Sequence, residues 1–217
     1  MNVEQARFNM IEQQIRPWNV LDPNVLELLS LVRREEFVPP THRALAFADV
    51  QIPLGEGQFM LAPRLEARML QEAQVQRHER VLEVGAGSGF VAALLAHRAR
   101  SVVSAERRPA LARMAAVNLE RAGISNVSVR EADASTGPFN DAPFDVVVLS
   151  GSVASVPQVL LDQVAPGGRL IAIVGHEPVM RCMIMQRLED GSFSSLSPFD
   201  TVAPRLEHFA EASAFSF

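Results

Sequence analysis

The stretch 81–89 is the first part of the chain whose residue types and spacing could do chemistry. It is an apolar run that ends in three glycines at every second position. The run predicts a buried parallel strand with one embedded carboxylate, Glu83, and the glycines turn the chain into a helix. Glycine permits a tight turn and lets a ligand approach the backbone closely. Phe90 stands where the dinucleotide motif G-x-G-x-x-G has its last glycine, which argues against NAD or FAD as the ligand.

Polar side chains also end the next three predicted strands. Glu106 follows the second strand, 23 positions after Glu83, which is close to the spacing of about 20 at which an acidic residue binds a ribose diol. Asp133 follows the third strand, where its carboxylate can accept a hydrogen bond from an adenine amino group, and Ser150 follows the fourth. Ligands of open parallel sheets bind beyond the carboxyl ends of the strands, so these residues predict a nucleoside site. Taken singly, each acid is also explained as a helix cap or a solvated strand end.

Strand and helix patterns alternate from residue 80 to residue 174, which predicts a parallel sheet with helices on both faces. Two stretches around the turn Asp190-Gly191 predict a hairpin at the edge of that sheet. The predicted fold is therefore α/β and Rossmann-like, with a mostly parallel sheet. The predicted strands are 80–84, 102–105, 127–131, 144–149 and 169–174, the hairpin strands are 180–188 and 193–201, and the helices follow the glycines and span 109–122 and 157–164.

Residues 1–79 lack this alternation and predict an N-terminal helical cap on the substrate side of the core, which spans 80–217 in the same compact unit. In the first predicted helix, 3–16, we expect Phe8, Ile11 and Ile15 to face the core. Further helices are predicted after the N-cap Asp22 and from Pro63.

The charged run 33–36 lies between two of these cap helices. It is expected to form a solvated loop with local ion pairs, because charged runs usually lie on the surface.

Composition excludes several classes of function. The 217 residues are 48% hydrophobic and 21% charged, which is typical of a globular chain with one sizeable core. A net charge of −5 gives no general attraction to nucleic acid or to an anionic membrane. Cys182 is the single cysteine, which excludes an internal disulfide, and no histidine or cysteine cluster has metal-ligand spacing. Without a signal peptide or a stretch of ~20 apolar residues, we expect a cytoplasmic protein that binds no metal.

Several motifs in a distinctive order and spacing resemble the protein-L-isoaspartate O-methyltransferases, a family of class I S-adenosylmethionine-dependent methyltransferases. The resemblance runs from about residue 4 to residue 175 and is carried by the stretches 10–15, 34–39, 46–49, 52–58, 82–90 and 142–145.

This resemblance implies a class I methyltransferase fold, S-adenosyl-L-methionine as methyl donor and S-adenosyl-L-homocysteine as product. It also implies that a carboxyl group on a protein or peptide is the acceptor. The implied donor contacts are Glu83, Gly85, Ala86, Gly87, Gly89, Glu106, Arg107, Asp133, Ala134 and Ser150.

The acceptor side departs from the family pattern. After Gly-Gln the family reads Thr-Ile-Ser, with hydroxyls that face the acceptor carboxylate, whereas this chain has Phe59, Met60 and Leu61. After the fourth strand the family has a Thr-Ala-Ala-like stretch, and residues 150–152 read Ser-Gly-Ser. No catalytic residue is assigned, and the acceptor-side candidates are Gln58, Phe59, Leu61 and Ser150.

Two hypotheses remain from the sequence. The first is a methyltransferase of the isoaspartyl type, either acting on that acceptor or diverged to another one. The second is a non-catalytic S-adenosylmethionine-binding protein that acts through protein contacts. The apolar stretch 59–61 motivates the alternatives, and it is also explained as packing between cap and core. A dehydrogenase is disfavoured by Phe90 and by the absence of any tyrosine.

Overall fold

The computed structural model describes residues 2–211. Its helices are α1 (Val3–Met10), α2 (Pro23–Leu31), α3 (Pro63–Ala73), α4 (Phe90–Ala96), α5 (Pro109–Arg121) and α6 (Gln158–Leu161). Its strands are β1 (Ile52–Gly55), β2 (Gln58–Met60), β3 (Arg80–Val84), β4 (Ser101–Glu106), β5 (Val127–Glu131), β6 (Phe144–Val153), β7 (Val164–His176), β8 (Val179–Arg187), β9 (Phe193–Leu196) and β10 (Asp200–Thr201).

The central sheet has the order β5-β4-β3-β6-β7-β8-β10, with β9 also paired to β8. Strands β3 to β7 are mutually parallel where they pair, and β8 runs antiparallel to β7. The chain order reverses on the two sides of β3, whose neighbours are β4 and β6. The α/β prediction is confirmed, and this reversal places a ligand crevice beyond the carboxyl end of β3.

Apolar side chains on the two faces of the sheet form two separate cores. One face packs against the N-terminal helices and against α3, α4 and α5. The other face is covered by α6 and by the irregular segment that precedes β6. The central strands β3 and β6 are buried on both faces, so their sequences are mostly apolar rather than alternating.

The first helix differs from its prediction. After α1 the chain continues as a π-helical turn, Ile11–Ile15, and then as a 3₁₀ turn, Arg16–Trp18. Ile15 is buried as expected, but Phe8 is 57% exposed. The inward position next to it is occupied by Arg7, which is buried against Glu35.

The charged run 33–36 was expected to be solvated with local ion pairs, which holds for the pair Arg33–Glu36 but is wrong for Arg34. Arg34 is 1% exposed and forms an ion pair with Glu66 of α3, which is equally buried. Its guanidinium also donates to the backbone carbonyls of Ala46 at 3.1 Å and Leu61 at 2.8 Å. A single arginine therefore ties α3 to two loop segments of the N-terminal region.

The remaining differences concern the lengths of elements. Residues 52–60 form the hairpin β1–β2, for which no periodic pattern was evident. Strands β6 and β7 extend beyond their predicted ends, and α6 is shorter than predicted because β7 already begins at Val164. None of the helices within residues 2–211 has the length and apolar character needed to span a bilayer.

Candidate functional site

A cleft of about 600 Å³, open to solvent, lies at the carboxyl ends of β3, β4, β5 and β6. The acids and glycines come together here because the ends of parallel strands meet at one edge of the sheet. The cleft is lined by nine of the residues that the sequence singled out, namely Gln58, Phe59, Gly85, Gly87, Glu106, Arg107, Asp133, Ala134 and Ser150. Their roles as ligand contacts stay predictions.

Four other candidates do not line the cleft within the described part of the chain. Glu83 is fully buried, and Ala86 is almost so. Gly89 begins α4 and faces α5, and Leu61 lines a narrow apolar cavity beside the cleft. Their predicted roles toward a ligand stay predictions as well.

Gly89 has a packing role. Its φ is +85°, and a Cβ at this position would lie 3.1 Å from the Cα and the carbonyl oxygen of Ala115 in α5. Both atoms belong to backbone, which gives way less readily than a flexible side chain. The third glycine of the motif therefore lets α4 and α5 pack closely behind the cleft.

Gly89→Ala is expected to lower the free energy of unfolding by more than Gly123→Ala. Both positions have a positive φ, which costs alanine about 1–2 kcal/mol, but nothing lies within 4 Å of a Cβ at Gly123. Overpacking against Ala115 adds roughly 1–3 kcal/mol to the Gly89 variant. Urea denaturation of the two variants measures the difference, and equal losses would contradict the packing role.

Glu106 ends β4 and holds the glycine loop. Its Oε2 accepts the backbone N–H of Gly87 at 3.0 Å, and its Oε1 accepts that of Arg108 at 2.9 Å. A carboxylate has about four acceptor sites, so two remain available toward the cleft. That arrangement suits the paired hydroxyls of a ribose.

Asp133 is engaged on both carboxylate oxygens. Oδ1 accepts from the backbone N–H and the hydroxyl of Ser135 at 3.0 and 2.6 Å, and Oδ2 lies 2.6 Å from Nδ1 of His208. Burial alone would raise the pKa of Asp133, but the hydrogen bonds from Ser135 and His208 outweigh it and hold that pKa below its ordinary value. Asp133 is therefore an ionised acceptor at neutral pH, and an adenine amino group would share Oδ2 with His208.

Glu83 lies behind the cleft at the centre of a chain of hydroxyl groups. Its Oε2 is 2.5 Å from the hydroxyl of Ser104, and its Oε1 is 2.9 Å from that of Ser150. Burial raises the pKa of Glu83 to about 8. The hydroxyl of Ser150 thus connects Glu83 to the cleft by a hydrogen bond.

Segment 59–61 was interpreted either as an apolar part of the acceptor side or as packing between cap and core, and each interpretation applies to part of it. Phe59 is 42% exposed and lines the cleft, so it forms an apolar rim. Met60 and Leu61 are buried in the core, and the backbone carbonyl of Leu61 is held by Arg34. The packing interpretation therefore applies to Met60 and Leu61, and the rim interpretation applies to Phe59.

The sequence analysis missed the C-terminal segment, residues 204–211, which forms one wall of the cleft. Backbone hydrogen bonds between Leu206 and Ser152, and between Ser152 and Pro204, fix it beside the end of β6. The side chain of Leu206 lies over Gly85 and Gly151, where an added Cβ would approach it to 2.9 and 2.8 Å. The small residues at these two positions make room for it.

Ion pairs fasten the same segment across the cleft. Glu207 accepts from Arg107 at 3.0 Å and from Arg108 at 2.6 Å, and Gln58 of the hairpin donates to it at 3.2 Å. His208 contacts Asp133 on the other side. No local pattern around residue 207 could have revealed these contacts, because their partners lie 75 or more positions away in the chain.

Comparison with known proteins agrees with this geometry. A family model described as protein-L-isoaspartate(D-aspartate) O-methyltransferase matches residues 5–201. The protein-L-isoaspartate O-methyltransferase of Methanoculleus marisnigri is 41% identical over 171 residues, which cover 79% of this chain and 78% of that protein. The protein-L-isoaspartate O-methyltransferase 2 of Marinobacter nauticus is 38% identical over 197 residues, which cover 90% of each chain.

A Plasmodium falciparum crystal structure shares the fold. It is described as a protein-L-isoaspartate O-methyltransferase in complex with S-adenosyl-L-homocysteine, and it superposes with a TM-score of 0.80 over 95% of this chain and 99% of that chain, at 18% identity. The family match includes the hairpin, the glycine loop, Glu106 and Asp133. Together, the family match and the identity of the relatives show that this chain is a methyltransferase and belongs to the protein-L-isoaspartate(D-aspartate) O-methyltransferase family.

Proposed function

We propose that the protein transfers a methyl group from S-adenosyl-L-methionine to the carboxylate of an isoaspartyl residue in a protein or peptide. The observation that carries the proposal is the family match over residues 5–201, which spans almost the whole described chain. The names of the relatives from Methanoculleus marisnigri and Marinobacter nauticus give the same activity. They favour a catalytic protein over the non-catalytic alternative.

The residues present fit an adenosyl donor. Glu106 has acceptor sites left for ribose hydroxyls, and Asp133 is an ionised acceptor suited to an adenine amino group. Gly85 and Gly87 leave the loop backbone open to the cleft. Leu206 covers part of the surface at Gly85, so a ligand there packs against its side chain or displaces it.

Methyl transfer to a carboxylate does not require the protein to act as a general base. When bound, the donor supplies a methyl group activated by its sulfonium. An acceptor carboxylate is already ionised at neutral pH, so no side chain has to remove a proton from it. The task of the chain is to align the acceptor and to keep water out. Phe59, Leu206 and Phe209 supply apolar walls that suit the second of these requirements.

The proposal is tested with a pair of peptides that differ only in an isoaspartyl or an aspartyl linkage. We expect release of S-adenosyl-L-homocysteine, and formation of a methyl ester, with the isoaspartyl peptide alone. Calorimetric titration of S-adenosyl-L-homocysteine tests the donor site separately. Donor binding without transfer to the isoaspartyl peptide would contradict the proposal that an isoaspartyl carboxylate is the acceptor. The absence of donor binding would also contradict the proposal that the cleft binds the donor.

A further inference from the structure

The acceptor side of the cleft lacks the hydroxyl that its family pattern places at residue 61. Leu61 is apolar and 3% exposed, and its side chain faces a narrow cavity rather than the cleft. An acceptor carboxylate in a dry site needs hydrogen-bond donors, because a buried charge without partners is costly. Some other group has to supply the missing donor.

Ser150 is the one hydroxyl side chain among the described residues that line the cleft. It also lines the narrow cavity that Leu61 lines, so the two residues border the same space beside the cleft. It is partly exposed at the carboxyl end of the sheet, where a ligand can reach it. Ser150 is therefore placed to replace the missing hydroxyl.

A serine hydroxyl carries one proton, so it can donate to one acceptor at a time. With Glu83 ionised, both Ser104 and Ser150 donate to its carboxylate, and Ser150 has no proton left for the cleft. With Glu83 protonated, its own O–H can donate to Ser150 across the 2.9 Å contact. The proton of Ser150 is then free to point toward the cleft.

The surroundings of Glu83 disfavour its charge. No cationic side chain within residues 2–211 lies within ion-pair distance of it, and the residue is fully buried. The charged groups that face it are carboxylates, Glu106 on β4 and Glu66 on α3, and Glu66 is itself paired with Arg34. Burial raises the pKa of Glu83 to about 8, with these carboxylates adding to the effect.

On the basis of the proposed function, we propose that Ser150 donates a hydrogen bond to the acceptor carboxylate and that Glu83, held protonated behind it, is the positioning residue that turns the Ser150 hydroxyl outward. Ser150 is then the specificity-determining residue for an anionic acceptor in a chain whose residue 61 is leucine. Its contribution depends on pH, because ionisation of Glu83 draws the hydroxyl inward.

The sign of this dependence follows from the state of Glu83. Below about pH 8 Glu83 is protonated, so Ser150 donates to the acceptor and kcat/KM for the isoaspartyl peptide is at its full value. Above that pH the carboxylate ionises, and kcat/KM falls. We expect the loss to approach about 10- to 100-fold, the range of one hydrogen bond to a charged group.

The test measures kcat/KM between pH 6.5 and 9.5, roughly centred on that pKa, with an isoaspartyl peptide whose termini are acetylated and amidated. Ser150→Ala is expected to lose about 10- to 100-fold in kcat/KM at neutral pH, with little change in the Kd of S-adenosyl-L-homocysteine, and Ser150→Thr to restore most of it. Ser155→Ala is the matched control, because Ser155 is exposed after the same strand and lines neither the cleft nor the narrow cavity. Glu83→Gln, whose amide donates permanently, is expected to abolish the alkaline decrease.

Ser104→Ala provides a second variant if Glu83→Gln does not fold. It removes one donor to the ionised form of Glu83 and is expected to shift the alkaline decrease to higher pH. Full activity of Ser150→Ala, or an unchanged alkaline decrease in both Glu83→Gln and Ser104→Ala, would overturn the inference. An equal loss of donor affinity in Ser150→Ala would make Ser150 a donor contact instead. No transfer by the unmodified protein would overturn the proposed function, and the inference with it.

Discussion

Replacing Glu106 with alanine is expected to weaken S-adenosyl-L-homocysteine binding by roughly 100-fold or more. Two acceptor sites of this carboxylate remain for the ribose hydroxyls after the hydrogen bonds from Gly87 and Arg108 are made. A hydrogen bond to a charged group contributes about 1.5–3 kcal/mol, so two lost bonds correspond to roughly that factor. Isothermal titration calorimetry measures the change directly.

The same substitution also loosens the loop that forms the floor of the cleft. Without the carboxylate, the N–H groups of Gly87 and Arg108 lose their acceptor. Glu106→Gln keeps one carbonyl acceptor, so we expect it to bind with an affinity between those of the alanine variant and the unmodified protein. This ordering separates the loss of charge from the loss of loop structure.

Glu131→Ala is the matched control for Glu106→Ala. Glu131 ends the neighbouring strand β5 in register with Glu106, but it is exposed and does not line the cleft. Its substitution is expected to leave donor affinity unchanged. Equal affinity of the Glu106 variant and the control would show that the ribose contact is misplaced.

Replacing Arg34 with alanine is expected to lower the free energy of unfolding by about 3–5 kcal/mol, the cost of removing one partner from a buried ion pair. Glu66 would be left in the core without its cation, and the carbonyls of Ala46 and Leu61 would lose their donors. The guanidinium also lies 5.1 Å from the ring centre of Phe90. A loss of this size is a large part of the stability of a typical domain.

Urea denaturation with Arg33→Ala as control tests this prediction. Arg33 is adjacent in sequence, but it is exposed and pairs only with the exposed carboxylate of Glu36. Exposed pairs contribute about 0–1 kcal/mol, so the control should unfold near the midpoint of the unmodified protein. Similar midpoints for the two variants would contradict the structural role of Arg34.

The local sequence pattern predicted the helices and strands whose position is determined by nearby residues. Strand β5 has its predicted bounds, and α3 buries Leu65, Met69 and Leu70 as their spacing required. The cleft could also be predicted, because Glu106 and Asp133 each follow a parallel strand and such strand ends meet at one edge. These inferences need only the chain near each residue and one rule of topology.

The features that escaped prediction depend on distant partners. Arg34 is buried because Glu66, 32 positions later, neutralises it, and four charges in a row carry no sign of that pairing. The hydrogen bond between Glu83 and Ser150 joins residues of two neighbouring strands, so it depends on how those strands align. The C-terminal segment pairs with residue 152, about 50 positions earlier, without a periodic pattern of its own.

Synthesis of the chain completes the sheet before it completes the cleft. Every named strand ends by Thr201, whereas Leu206 and Glu207, which wall the cleft, follow the whole sheet in sequence. A chain cleaved after Ala203 therefore keeps every strand of the sheet and loses one side of the binding site. In a mixed preparation, the amplitude of the melting transition that S-adenosyl-L-homocysteine shifts to higher temperature would report the intact fraction, because ligand stabilises only molecules that bind it.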